Sequence, residues 1–166
     1  MATATATLPK TKGCAFLIEE RAPQDVFTPE DFSEQHLLIA QTAEEFANKE
    51  IVPNIENMEH KNFAIIRELV KKAGELGLSG VDVPEEYGGM EMDKVTSAII
   101  ADRIAKYGGF STTWGAHTCI GTLPIVYFGT EEQKKKYLPG LASGETIGQP
   151  WQILLLLLFR AEIDDG

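Results

Sequence analysis

Two residues from Cys119 stands His117, and an imidazole beside a thiol can draw off its proton to leave a nucleophilic thiolate. On a helix, however, residues two apart diverge by roughly 200°, so this ring and this thiol do not face each other. Cys119 then reads as a small buried hydrophobe that packs. Glu85 and Glu86, just before Tyr87, are adjacent carboxylates on a loop without fixed geometry and read as a solvated pair. His36 and His60 fall in polar stretches and read as surface. No GxGxxG or GxxxxGK(S/T) phosphate loop, GxSxG elbow or HExxH zinc motif occurs. Cys14 and Cys119 have neither a CxxC partner nor a zinc-type spacing. The sequence therefore holds no complete active site.

The residues nearest to chemistry lie in GGFSTTWGAHTCIGTLPIVYFGTEEQ, Gly108 to Gln133. This stretch is dense in small and apolar residues and suits a wall on which helices pack and into which an apolar ligand slides. The elements that must position it are helical. Thr28-Pro29-Glu30-Asp31 supplies a hydroxyl cap, a proline at the first helical position and acids in the first turn. A start at Ser33-Glu34 leads into a helix over about 34–52, with Leu37, Leu38, Phe46, Ala47 and Ile51 inward and Pro53 as its end. Residues 54–61 form a polar connector. Asn62 caps a helix over 63–76 with Phe63, Ile66, Leu69, Val70, Ala73 and Leu76 inward, stopped by Gly77 and Leu78.

Residues 78–89 read as loop, because Pro84 and Gly88-Gly89 interrupt the alternation of Val81 and Val83. Asp93 caps a helix over 94–107 that turns Val95, Ile99, Ile100 and Ile104 inward, while its neighbours Asp102 and Arg103 point apart and form no ion pair. Gly108-Gly109 terminates this helix, and Ser111 opens a short one containing Trp114 and His117. The winding restarts around Gly121 to Pro124, buries Ile125 to Phe128 and stops at Gly129. Thr130 and Gln133 form a capping box for a helix over 131–137 that Pro139-Gly140 breaks. Every clear period is helical, so the fold class is all-α, an antiparallel helical bundle with short loops. Residues 1–27 read as a mobile N-terminal arm pinned by Ala15-Phe16-Leu17-Ile18, residues 28–147 as the helical domain, and 148–166 as an atypical apolar tail.

Composition narrows the partners. The chain is 43% hydrophobic and 24% charged, with net charge −10, which suits a globular protein and disfavours nucleic acid or anionic lipid as a partner. Two cysteines and no secretory apolar core point to a reducing, cytoplasm-like compartment. No apolar run reaches the roughly 18 residues of a transmembrane segment.

FTPEDFSEQHLLIAQTAEEFANKEIVP, KKAGELGLSGVDVPEEYGGMEMD, WGAHTCIG and FGTEEQKKKYLPGLASGE, in that order and spacing, resemble the N-terminal helical domain of acyl-CoA dehydrogenases. The arm GCAFLIEERAPQDVFTPEDF is similar to the start of the longer, long-chain-type members, and the resemblance covers about residues 13 to 147. It implies a flavoprotein oxidoreductase of fatty acid β-oxidation that introduces an α,β double bond into a fatty acyl-CoA. In that family a glutamate takes the α proton, FAD accepts hydride from the β position, and an electron-transfer flavoprotein takes the electrons. Family members are usually tetramers, so the resemblance implies a homo-oligomer, in the cytoplasm or the mitochondrial matrix. It also implies that this domain supplies part of the acyl-pocket wall, matched here by Trp114, Gly115, Ala116, His117, Thr118, Cys119 and Gly121. The small Gly115 and Ala116 would leave depth for a long chain.

After LASGETIG the family continues with a Thr-Glu-Pro and a Gly/Ser-rich turn that contact flavin, whereas this chain reads QPWQILLLLLFRAEIDDG. The apolar run Ile153 to Phe159 is a frameshifted or mis-spliced end, a truncated product, or a segment that folds onto the bundle. The resemblance places the catalytic glutamate and nearly all flavin contacts outside the matched residues. The expectation is that this chain alone binds no FAD tightly and lacks dehydrogenase activity. The alternative is a stand-alone helical binding or interaction module with 153–159 as its contact.

Overall fold

The computed structural model describes residues 17–148 and divides the chain into two compact units, residues 1–37 and 38–166. All the described elements are helical, in keeping with the bundle expected from the sequence. They comprise α1 (Glu34–Phe46), α2 (Ile55–Glu59), α3 (Phe63–Glu75), α4 (Lys94–Ala105), α5 (Gly108–Gly115), α6 (Leu123–Phe128) and α7 (Glu131–Ala142), joined by short 3₁₀ and π turns. Cys14, Ala15, Phe16 and the apolar tail from Gln149 onward lie outside the described residues.

In the first unit, Thr28 and Asp31 close the turn Pro29–Asp31 reciprocally, with the Thr28 amide donating to Asp31 Oδ2 at 2.9 Å. His36 is buried rather than on a polar rim: its edge meets Phe32 at 5.7 Å and Phe27 at 6.5 Å. The Ser33 amide donates to His36 Nδ1 and the His36 amide donates to Ser33 Oγ, each at 3.2 Å, so the histidine serves the helix start. Leu17 and Ile18, half of the island expected to pin the arm, are exposed, and Ala15 and Phe16 lie outside the described residues.

The second unit is built on an aromatic ladder. Phe46 meets Phe110 at 6.0 Å, Phe110 stacks on Trp114 at 6.1 Å, and Trp114 meets His117 at 6.4 Å. Phe110 is fully buried, and burying such a side chain contributes about 1.5–3 kcal/mol. Ala43, Ile51, Leu69, Val70, Ile100 and Ile104 complete this core, while Val83, Ile125, Leu138 and Leu141 form a second one.

The inward face of α1 differs from the expected one. At 100° per residue, Ile39 returns to the side of Phe46 while Leu37 falls opposite. The buried residues are accordingly Ile39, Ala40, Ala43 and Phe46, and Leu37 and Leu38 are 56% and 64% exposed. Pro53 does not end the winding. A π turn at Ala47–Ile51 and a 3₁₀ turn at Val52–Asn54 carry the helical path past it into α2, so the expected polar connector is helical. Asn54 Nδ2 donates to the Glu50 carbonyl at 2.9 Å, serving an acceptor at the disrupted turn.

Phe63 and Leu76 stand at the ends of α3 and are exposed, leaving Leu69, Val70 and Ala73 to seal it. Asn62 occupies the N-cap position without a side-chain hydrogen bond. Gly77 takes the left-handed conformation at φ 76° and Leu78 folds back to burial, as the sequence pattern required. The segment 78–92 is a loop tied to itself, with the Met92 amide donating to the Val81 carbonyl at 2.7 Å and the Glu91 amide to that of Val83 at 3.0 Å. Gly89 lies so close that an added Cβ would sit 1.9 Å from the Val83 carbonyl oxygen.

Asp93 caps α4, its Oδ1 accepting from the Thr96 amide at 3.0 Å. Arg103 curls back to Asp102 at 2.9 Å, so these neighbours do pair: a long guanidinium stem can reverse the divergence of the two Cβ directions. α5 begins at Gly108, three residues before Ser111. α7 runs through Pro139 to Ala142, because Leu138, Leu141 and Ala142 are all buried and their packing offsets a proline cost of about 3 kcal/mol. Thr130 and Gln133 form the capping box that starts it.

Candidate functional site

α5, the π turn Ala116–Thr122 and α6 make one continuous winding from Gly108 to Phe128. The π turn widens the winding at Ala116–Thr122, where Thr122 Oγ1 donates to the His117 carbonyl at 2.8 Å and serves an acceptor in the widened ladder. This rotation sends the seven residues of the expected wall to two sides.

Trp114, Gly115, Thr118 and Cys119 border a groove of about 350 Å³. Its other lining comes from Leu78, Val81 and Asp82 of the loop, from Ser97, Ile100, Ala101, Ile104 and Ala105 of α4, and from Ser111 and Thr112. The volume lies within the range of small-molecule sites, and apolar atoms dominate the exposed surface of the lining. Gly115 opens it: an added Cβ would meet nothing within 4 Å. Thr118 Oγ1 donates to the Trp114 carbonyl at 2.9 Å, which leaves its methyl group as the apolar part. Cys119 is exposed rather than packed. Asp82 is the single charged side chain of the lining; Lys94 pairs with it, and Ser97 Oγ donates to it at 2.8 Å.

The other side is closed. His117 is fully buried, Gly121 is buried and Ala116 is partly buried, and none of the three borders the groove. Gly148 N–H donates to His117 Nδ1 at 3.0 Å, so Nε2 carries the proton that it donates to the Leu141 carbonyl at 3.1 Å. Burial pushes the imidazole below its ordinary value, while the bond to Leu141 works the other way. Gly121 and Gly148 touch backbone to backbone: a Cβ on Gly121 would lie 2.8 Å from Gly148 Cα.

Sequence reasoning found Ile100 and Ile104 as inward residues but not the loop contribution. A signal for the α4 side was present in the small residues Ser97, Ala101 and Ala105, spaced four apart along one face. Tyr87 was a further omission. Its hydroxyl donates to Glu131 Oε2 at 2.6 Å, tying the loop to α7; that bond raises the Tyr87 hydroxyl and lowers the Glu131 carboxyl. A second depression, of about 390 Å³, is rimmed by Glu45, Lys49 and Glu50 and suits an aliphatic ligand less well. Among the described residues no helix is long and apolar enough to cross a membrane.

The described residues form an all-helical domain whose Gly-rich central winding borders an apolar groove. The chain belongs to the acyl-CoA dehydrogenase family, matching the model of the acyl-CoA dehydrogenase N-terminal domain over residues 33–145. A probable acyl-CoA dehydrogenase of Bacillus subtilis (strain 168) is 54% identical over 136 residues, 82% of this chain and 23% of that protein. Mitochondrial isovaleryl-CoA dehydrogenase of Bos taurus is 33% identical over 118 residues, 70% of this chain and 28% of that one. The crystal structure of an acyl-CoA dehydrogenase complexed with FAD from Bacillus anthracis superposes with a TM-score of 0.77 at 55% identity, covering 82% of this chain and 24% of the other. The chain thus spans about a quarter of the length of the curated relatives it matches.

Proposed function

We propose that these helices form one wall of the acyl-chain slot of a flavin-dependent acyl-CoA dehydrogenase acting on fatty acyl thioesters. The observation that carries this reading is the groove between α4 and α5, apolar over most of its exposed surface and unobstructed at Gly115. An alkyl chain entering it leaves water at about 0.8 kcal/mol per buried methylene. Ile100, Ile104 and Trp114 supply the contact, and Gly115 leaves depth.

The same lining does not fit the pyrophosphate of FAD, because its one charged side chain, Asp82, is an anion. Flavin binding and the removal of the α proton are therefore assigned to parts of the protein outside this groove. No described residue is given the role of base. Transfer of electrons to an electron-transfer flavoprotein, assembly as a homo-oligomer, and residence in the cytoplasm or the mitochondrial matrix belong to the same proposal. On this reading the sequence divides functionally into the arm 1–27, the wall domain 28–147 and the tail 148–166.

The test is a chimera in which this chain's residues 33–145 replace the matching segment of the Bacillus subtilis relative. Comparing kcat/KM across acyl lengths with and without Gly115→Leu reads the depth of the slot. The expected result is a shift toward shorter chains, with losses up to about fourfold per excluded methylene. An unchanged length profile would overturn the reading. So would a flavin absorbance band in the isolated 166-residue chain, since the flavin would then sit on these helices.

A further inference from the structure

His117 is a buried histidine with no part in the groove, and both of its ring nitrogens are spent on backbone. Nε2–H donates to the Leu141 carbonyl near the end of α7, and Nδ1 accepts from the amide of Gly148. Thr122 holds the His117 carbonyl, and the Gly121–Gly148 contact is so close that neither position has room for a Cβ. Three pieces of chain therefore meet at one ring: the π turn, the end of α7 and the backbone after Ile147.

We propose that His117 is a positioning residue: as a neutral ring it pins Gly148 to the π turn and so fixes the path by which the chain leaves the helices, and protonation releases it. The reason is the donor count. A neutral imidazole offers one donor and one acceptor, which match a carbonyl and an amide; an imidazolium offers two donors. A proton on Nδ1 would point at the Gly148 N–H, removing that bond and leaving two donors face to face in a buried place. Among the described residues no charged group relieves this conflict. Trp114 from α5, Leu141 from α7 and Gly148 contact the ring among these residues, and burial and the Leu141 carbonyl, with no carboxylate or cation among them, set its protonation. The inference stands whether or not the groove takes an acyl chain.

The test uses the whole chain and nuclear magnetic resonance. Nitrogen shifts of the His117 ring report the tautomer, and exchange of the Gly148 amide, expressed as a protection factor, reports the clasp. Expected are an unprotonated Nδ1 at neutral pH and a Gly148 protection factor that falls by up to about tenfold per pH unit below about 6.5. In His117→Asn the side-chain oxygen can still accept from Gly148 but cannot titrate, so protection persists and its pH dependence disappears. A proton found on Nδ1 overturns the proposal in the unaltered protein, without recourse to any variant. Protection that is flat with pH, or that falls equally in His117→Asn, overturns it as well.

Discussion

The winding from Gly108 to Phe128 has two sides built from the same kinds of residue, and they do opposite things. On the groove side, Gly115 has open space where a side chain would go, Cys119 is exposed, and small residues of α4 keep their distance. On the other side Gly121 lies against Gly148, His117 is fully buried, and each polar atom of its ring has a partner. Glycine makes room in one place and permits contact in the other. The difference lies in what stands opposite: empty volume at Gly115, another backbone at Gly121. An open groove needs a rigid back, and here that back is the closed side of the same winding.

The comparison can be broken first at its common support. Phe110 is fully buried between Phe46 and Trp114 and underlies both sides, so Phe110→Ala is expected to cost about 3–5 kcal/mol in urea unfolding. A loss below 1 kcal/mol would show that the aromatic ladder does not hold the two sides together. Next, Gly121→Ala should cost about 1–3 kcal/mol, because its Cβ would meet backbone that cannot turn aside.

A smaller effect separates the closed side by pH. His117 has a depressed folded value, so below about 6.5 the unfolded chain binds the extra proton and stability falls as pH drops toward the folded value. The slope is at most about 1.4 kcal/mol per pH unit, absent above that window and absent in His117→Asn. Urea midpoints between pH 5 and 7.5 would measure it, and a slope retained in the variant would assign it to another group. The smallest change is on the open side. Gly115→Ala meets nothing and gains helix propensity, so it should stabilise by up to about 1 kcal/mol in the same assay. If Gly115→Ala destabilised as much as Gly121→Ala, the two sides would not differ as described.

Much of the fold was legible because local chemistry and tertiary packing agree. The Thr130–Gln133 box, the Asp93 cap and the Gly77 stop involve groups a few residues apart, whose geometry the chain fixes for itself. Where packing competes with a local rule, the reading failed. Pro53 and Pro139 carry a local breaking signal, yet buried residues on either side carry the helix through both. The spacing of apolar residues in α1 predicts Leu37 and Leu38 inward, but the phase set by Phe46 turns Leu37 away and both leucines are exposed. Ile125 to Phe128 were read as one buried run, but a helix shows only part of such a run to its core, and Tyr127 and Phe128 are exposed. Of the seven residues matched to a wall, Trp114, Gly115, Thr118 and Cys119 border the groove, whereas Ala116, His117 and Gly121 do not, because the π turn rotates them to the other side.

By itself the sequence determined the helical class, most helix starts and stops, and through its ordered motifs the family. These depend on neighbours along the chain and on the succession of short signals. Only the tertiary structure decided which side of the Gly108–Phe128 winding is open and which is closed. That assignment depends on the phase of a π turn and on what stands opposite each glycine, Gly148 in one case and open space in the other. Neither quantity is carried by residues adjacent in the chain.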